Sequence, residues 1–254
     1  MKKQWKILLC LLLVVAMALS LAACGGDSEE EEWGGKRKPS QSDKDKNDKE
    51  DDGNTETPPV DGKTYRIRTV EDLLGVAKYM ESHVLDAEVV ILLENDLVVN
   101  DTADFHDWAA SASRRAELVN FTPIKYFSGT FDGQGHTISG LYCCVDDGED
   151  QYSSATLIYN LYPGATLKNL NIKDSLFYSA QMRTTAPLVA TNRGTVQNCH
   201  VRAEVCSNAM YISMLTGSTR EGGQILDCTA DGQVIHMESG NQIYMWRSWQ
   251  HCRS

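Results

Sequence analysis

Apolar positions recur through the second half of the chain with a single period. Ile138, Leu167, Val196 and Ile225 stand 29 residues apart, as do Leu141, Leu170, Cys199 and Cys228, and again Cys143, Ile172, Val201 and Ala230. Three in-phase columns over four copies define a repeating unit. Each copy reads as a short β segment: HTISGLYC, ATLKNLNI, GTVQNCHV and GQILDCTA. Second apolar segments, TLIYNL, APLVAT and SMLTGS, fall between the copies at a spacing that wanders as loops do.

Between the first two columns stand Gly140, Asn169, Asn198 and Asp227. Gly, Asn and Asp tolerate positive φ at low cost, so this column predicts a sharp structural corner whose flanking residues both point inward. Strand, corner, strand and loop at a 29-residue period describe one coil of a parallel β-solenoid. In such a stack like residues lie over like at about 4.8 Å. An antiparallel sandwich would show alternation and Asn-Gly hairpin signals roughly every 8 to 12 residues, and the chain shows neither. The predicted fold class is all-β: a short right-handed parallel β-helix of about 29 residues per coil with an N-terminal capping α-helix.

The helix is predicted within TVEDLLGVAKYM. Thr69 with Asp72 three residues later is a capping-box variant, and Val70, Leu73, Leu74 and Ala77 follow one helical face. Laid over the first coil, it would cover an open strand edge. The glycine-rich stretch GTFDGQGHTISGLY, Gly129 to Tyr142, resembles a phosphate cradle only superficially. After Gly133 and Gly135 a dinucleotide fingerprint needs a third glycine where Ile138 stands, and a P-loop needs lysine where His136 stands. Gly133 and Gly135 are therefore expected to make a tight turn capped by the Asp132 side chain.

The two ends are patterned differently. Lys2, Lys3 and Lys6 precede an unbroken apolar run from Ile7 to Leu19 and then Leu21-Ala22-Ala23-Cys24, the pattern of a secretion signal. LAAC resembles the bacterial lipobox, which implies cleavage before Cys24 and lipidation of that residue. The competing reading is an uncleaved membrane helix, because the 17 residues from Ile7 to Ala23 reach the lower limit for a span. Residues 25–63 carry 13 acidic and 7 basic side chains and almost nothing apolar, so they cannot bury enough surface to offset ordering entropy. They are expected to form a disordered tether with a coil dimension of about 35 Å.

From Thr64 onward 22 acidic residues face 14 basic ones, a net of −8. That balance excludes nucleic acid as a partner, since phosphates call for a basic footprint. Of eight cysteines, Cys10 leaves with the signal and Cys24 carries lipid; the rest show no zinc spacing and no readable disulfide pairing. The expected domains are the signal peptide at 1–23, lipidated Cys24 and linker at 24–63, helix, strand and insertion at 64–128, repeats at 129–232, and a C-terminal segment at 233–254. That last segment is expected to be either a cap or a truncated repeat. The expected location is the extracytoplasmic face of the cell membrane, held by the lipid.

From Thr64 to Gly232 the chain resembles the GLUG-type repeat proteins of bacterial surfaces. The resemblance rests on the helix and strand TVEDLLGVAKYM and VVILLENDLVV, the lead-in FTPIKYFSGTFDGQGHTISGL, and the repeats GATLKNLNI and GTVQNCHV. The Gly-Leu-x-Gly tetrapeptide itself is degraded, to Thr156-Leu157-Ile158-Tyr159, Pro187-Leu188-Val189-Ala190 and Met214-Leu215-Thr216-Gly217. The resemblance implies a surface-displayed, pectin-lyase-like β-helical module and brings no catalytic residues.

The expected function is binding or adhesion, to glycans or to host or cell-wall components, with no catalytic residue, cofactor or metal assigned. The alternative is a polysaccharide lyase or glycoside hydrolase, which needs paired carboxylates. Asp132, Asp174 and Glu204 share no phase of the repeat, and Asp146, Asp147, Glu149 and Asp150 crowd one loop. The histidines His83, His106, His136, His200, His236 and His251 show no ligand spacing. Cys199 and Cys228 share an interior column, where they act as small hydrophobes. Tyr142, Tyr178 and Tyr211 are the outward candidates for a sugar platform, and Tyr244, Trp246 and Trp249 crowd the tail.

Overall fold

The computed structural model describes residues 60–61, 63–145, 154–180, 184–209, 211–237 and 243–252. The signal segment, Cys24 and nearly all of the linker lie outside the described residues, as do Asp146, Asp147, Glu149 and Asp150 and the side chains of Tyr244, Trp246, Trp249 and His251.

Strands dominate, in three sheets. The first runs in the order β1 (Val60–Asp61), β2 (Thr64–Ile67), β3 (Val90–Leu93), β6 (Thr130–Asp132), β10 (Thr166–Lys168), β13 (Thr195–Gln197), β16 (Gln224–Leu226). The second runs β18 (Ile243–Cys252), β17 (Cys228–Met237), β14 (His200–Ser207), β11 (Asn171–Ser179), β7 (Thr137–Ser139), β4 (Leu97–Val98), and β8 (Tyr142–Val145) also pairs with β11. The third runs β15 (Thr216–Thr219), β12 (Val189–Asn192), β9 (Ile158–Leu161), β5 (Ile124–Phe127). Among these strands every pairing is parallel except β1 with β2 and β17 with β18. From β5 onward the chain visits the third, first and second sheets in that order four times. The protein is all-β and built of parallel sheets.

Period-two burial fixes which residues line the interior. In the first sheet β6, β10 and β13 are so short that a single central side chain points inward, Phe131, Leu167 and Val196, each fully buried, while the longer β2 and β3 each bury two. Phe131, Leu167, Val196 and Ile225 lie side by side in register, and so do Ile138, Ile172, Val201 and Ala230. Burial of each larger aliphatic or aromatic side chain contributes about 1.5–3 kcal/mol, which makes these files the main source of cohesion.

This register corrects the sequence phase at the first copy. Ile138 lies beside Ile172, not Leu167, and Cys143 lies beside Phe177, not Ile172. Leu141 likewise leaves the file of Leu170, Cys199 and Cys228, since its N–H donates to Ser175 Oγ at 3.0 Å. Gly133, Gln134, Gly135 and His136 separate β6 from β7, where Asn169 and Leu170 alone separate β10 from β11. The longer first turn shifts everything after it relative to the later copies. That turn is capped as the sequence predicts, with Gln134 N–H donating to Asp132 Oδ1 at 2.9 Å.

At the corners Asn169, Asn198 and Asp227 have φ of +55°, +50° and +51°. The asparagine side chains form a ladder: Asn198 Nδ2 donates to Asn169 Oδ1 at 2.9 Å, and Asn169 Nδ2 to Asp132 Oδ1 at 2.9 Å. Gly140 also has positive φ, +67°, but stands at a different corner, where its N–H donates to Lys173 O at 3.2 Å.

Helix α1 (Val70–Tyr79) begins with a complete capping box between Thr69 and Asp72 and packs on β2 and β5. Leu73, Val76 and Ala77 are its buried residues; Leu74, placed on that face by the sequence, is only partly buried, and Val76 takes its place.

An insertion between β4 and β5 crosses the outer face of the second sheet. It contains a 3-10 turn, Phe105–Asp107, and the short helix α2 (Ala112–Arg115). Asn100 pins its two ends, donating to Gly140 O and Val119 O and accepting from Val119 N–H at 2.8 Å. Phe105 and Trp108 then pack with Tyr142, Leu176, Cys206 and Ile235 in an apolar cluster separate from the main core.

Candidate functional site

The outer face of the second sheet carries rows of side chains that cross β11, β14 and β17. The register sets Asn171, His200 and Thr229 in one row, then Lys173, Arg202 and Asp231, then Leu176, Glu204 and Gln233, then Tyr178, Cys206 and Ile235. A bulge at Asp174, whose φ is +46°, lets Leu176 and Tyr178 keep to this face. The first two rows are polar and open. The last is apolar and lies under the insertion. Glu204 stands on the boundary.

Three hollows share walls along this face. A groove of 380 Å³ lies over Asn171, Lys173, His200, Arg202, Thr229 and Asp231. A cleft of 220 Å³ continues past Arg202 and Asp231 to Phe105, His106, Glu204 and Gln233. Beyond His106, Glu204 and Gln233, a hollow of 530 Å³ opens onto Ala109, Ala110, Cys206 and Ile235. The depression is mixed at one end, where polar and charged side chains stand beside Ile172, Val201 and Ala230, and mostly apolar at the other, with a carboxylate between.

Glu204 is the unusual group. Its side chain is 5% exposed, and its Oε1 lies 2.9 Å from Nδ1 of His106, a side chain 70% exposed. Burial raises the Glu204 carboxyl above its ordinary value, against the opposing pull of the His106 hydrogen bond. The basic residues of the wall are engaged elsewhere. Arg202 Nη2 lies 2.9 Å from Asp174 Oδ1, an ionic contact without hydrogen-bond alignment, and Lys173 Nζ lies 3.7 Å from Asp174 Oδ2. Among the described side chains no lysine or arginine pairs with Glu204.

The other candidates named from sequence fall as follows. Tyr142 is buried beneath the insertion, Tyr178 has the Arg115 guanidinium 4.2 Å from its ring centre, and Tyr211 alone of the three is exposed. They form no platform. His136 pairs with Asp96 and His200 with Thr229 Oγ1 at 2.7 Å, while His83 stacks on Tyr79. Burial pushes the Cys143 thiol up to about 12 and the Cys206 thiol up to about 11, so neither is a ready nucleophile. Cys199 N–H donates to Cys228 Sγ at 3.4 Å within the core. Of the three carboxylates weighed for catalysis, Asp132 caps a turn and Asp174 neutralises Arg202 and Lys173. Sequence reasoning weighed His106 only as a metal ligand, and missed Arg202, Asp231 and Gln233. The outward alternation of His200, Arg202 and Glu204 in HVRAEVCS was the available signal.

The fold and cleft define an all-β protein of parallel sheets with an amphipathic depression on one outer face. No protein family and no curated protein sequence matches the chain. Among solved structures it is similar to a putative immunoglobulin A1 protease from Bacteroides ovatus, at 16% sequence identity and a TM-score of 0.44. The likeness covers 68% of this chain and 58% of that one, so the chain spans less than two thirds of that protein's length.

Proposed function

We propose that the chain is a lipid-anchored protein of the bacterial cell surface that displays a short right-handed parallel β-helix, of GLUG type and about 29 residues per coil, as a glycan-binding module. Lipid on Cys24 holds it to the extracytoplasmic face of the membrane, and residues 24–63 act as the stalk. Helix α1 caps the first coil. The in-register files Leu167, Val196, Ile225 and Ile172, Val201, Ala230 support the coil length.

The observation that carries the binding role is the continuous depression on the second sheet. Hydroxyl, amide and charged side chains line one end and an apolar floor the other, which matches a sugar ring with its hydroxyl rim and apolar face. Binding rather than catalysis is the reading favoured by how the acidic residues are used: Asp132 and Asp174 are committed to a turn and to ion pairs. The test is full-length protein on a glycan panel, beside Arg202→Ala and Asp231→Ala. Retention of a defined subset by the wild type alone supports the assignment, and retention of none overturns it. New reducing ends or unsaturated products from a retained glycan would replace binding with cleavage.

A further inference from the structure

Resting on that reading, we propose that the centre of the cleft selects amino sugars, with Glu204 receiving the ligand's ammonium group. The carboxylate is nearly sealed from water, with a solvent-exposed histidine as its partner. Desolvating a carboxylate is costly unless a cation or several donors offset it. The cations of the wall do not do so, since Lys173 and Arg202 both face Asp174. Within the lining itself Lys173 and Arg202 balance Asp231 and Glu204, which leaves the Glu204 carboxylate with His106 as its hydrogen-bond partner among the described residues. An ammonium group on the ligand supplies the donor cation that the wall does not turn toward Glu204.

The geometry around Glu204 sets the rest of the ligand. Gln233 lies beside it in register and supplies an amide, and Arg202 and Asp231 form the next row. These groups suit hydroxyls flanking an amine. On the other side Ala109, Ala110, Cys206 and Ile235 offer an apolar surface to the ring face. Isolated ammonium groups on flexible stems, such as lysine side chains, would use the carboxylate but leave the polar rows unmatched. The domain's net charge of −8 draws cationic ligands toward the surface.

Chitosan and chitin hexamers separate this inference from the broader one, since they share a backbone and differ only in free amines against acetamides. Titration of full-length protein at mildly acidic pH is expected to show the chitosan hexamer binding roughly 10- to 100-fold more tightly, the worth of one charge-assisted hydrogen bond. Glu204→Gln, nearly the same shape, is expected to erase that preference while its near-UV circular dichroism stays that of the wild type. Equal affinity of the wild type for both hexamers overturns the amino-sugar assignment and leaves glycan binding standing. A preference that survives in Glu204→Gln overturns it as well. If neither hexamer binds while a lysine-rich peptide does, both readings fall.

Discussion

Replacing Asn198 by valine tests the corner geometry with a calculable cost. Asn198 has φ +50°, where a β-branched residue is strained by about 1–2 kcal/mol. The substitution also removes the Nδ2 donation to Asn169 Oδ1, an exposed hydrogen bond worth about 0.5 kcal/mol. The sum is about 2 kcal/mol. For a domain of this size 1 kcal/mol moves Tm by about 2–4 °C, so a fall of roughly 4–8 °C is expected. Asn198→Gly separates the two contributions: glycine accepts positive φ freely, so only the hydrogen bond and some chain entropy are lost, and the fall is less than half as large. Thermal unfolding followed by far-UV circular dichroism reads both variants. A valine variant that melts with the wild type, or a glycine variant as damaged as valine, would refute the reasoning.

Glu204→Gln is expected to stabilise the fold at about pH 8 and to leave it unchanged at about pH 3.5, as read by melting across pH. Burial raises this carboxyl in the folded state, so its contribution is fully present below the unfolded value near 4.3 and is lost as pH rises through the folded one. The charged or titratable groups facing it are His106 from the insertion, Arg202 and Cys206 from β14, and Asp231 from β17, and a gain largest at low pH would contradict the assignment. Gly140→Ala places a Cβ 2.1 Å from Asn100 O at φ +67°, with an expected loss of about 1–3 kcal/mol and, through the Asn100 clamp, of glycan retention; unaltered melting would refute the close approach. Cys24→Ala is expected to block signal cleavage or release the protein from membranes, and a correctly cut, membrane-bound variant would dismiss the lipobox.

The parallel character of the fold was legible because like residues recur at one distance. Leu167, Val196 and Ile225 are found side by side at that distance. What misled the phase was the first copy, since no periodicity reveals that Gly133 to His136 make a longer turn than Asn169 and Leu170. Gly140 therefore matched Asn169 in sequence for a reason unrelated to stacking, and Leu141 matched Leu170 in the same way. The cleft was less legible still. His106 and Glu204 are 98 positions apart and meet only because the insertion folds across the sheet. Tyr142 and Tyr178 look outward by alternation, and they are outward; the insertion and Arg115 then cover them.

Coverage of half a sheet face explains why the charge sits where it does. Had the insertion ended before Phe105, Glu204 would stand in water beside Arg202, as Asp231 does. Had it reached one row further, His200 and Arg202 would be buried too, each demanding a partner. At the actual boundary the carboxylate bears a desolvation cost that glutamine in the same space would avoid. Folding alone gives no reason to keep such a group, because the neighbours Phe105, Gln233 and Cys206 would pack as well around an amide. A carboxylate kept nearly dry at the junction of a polar groove and an apolar floor is explained by what it receives, and for a group of that charge and depth the fitting ligand is a cation carried on an amphipathic ring.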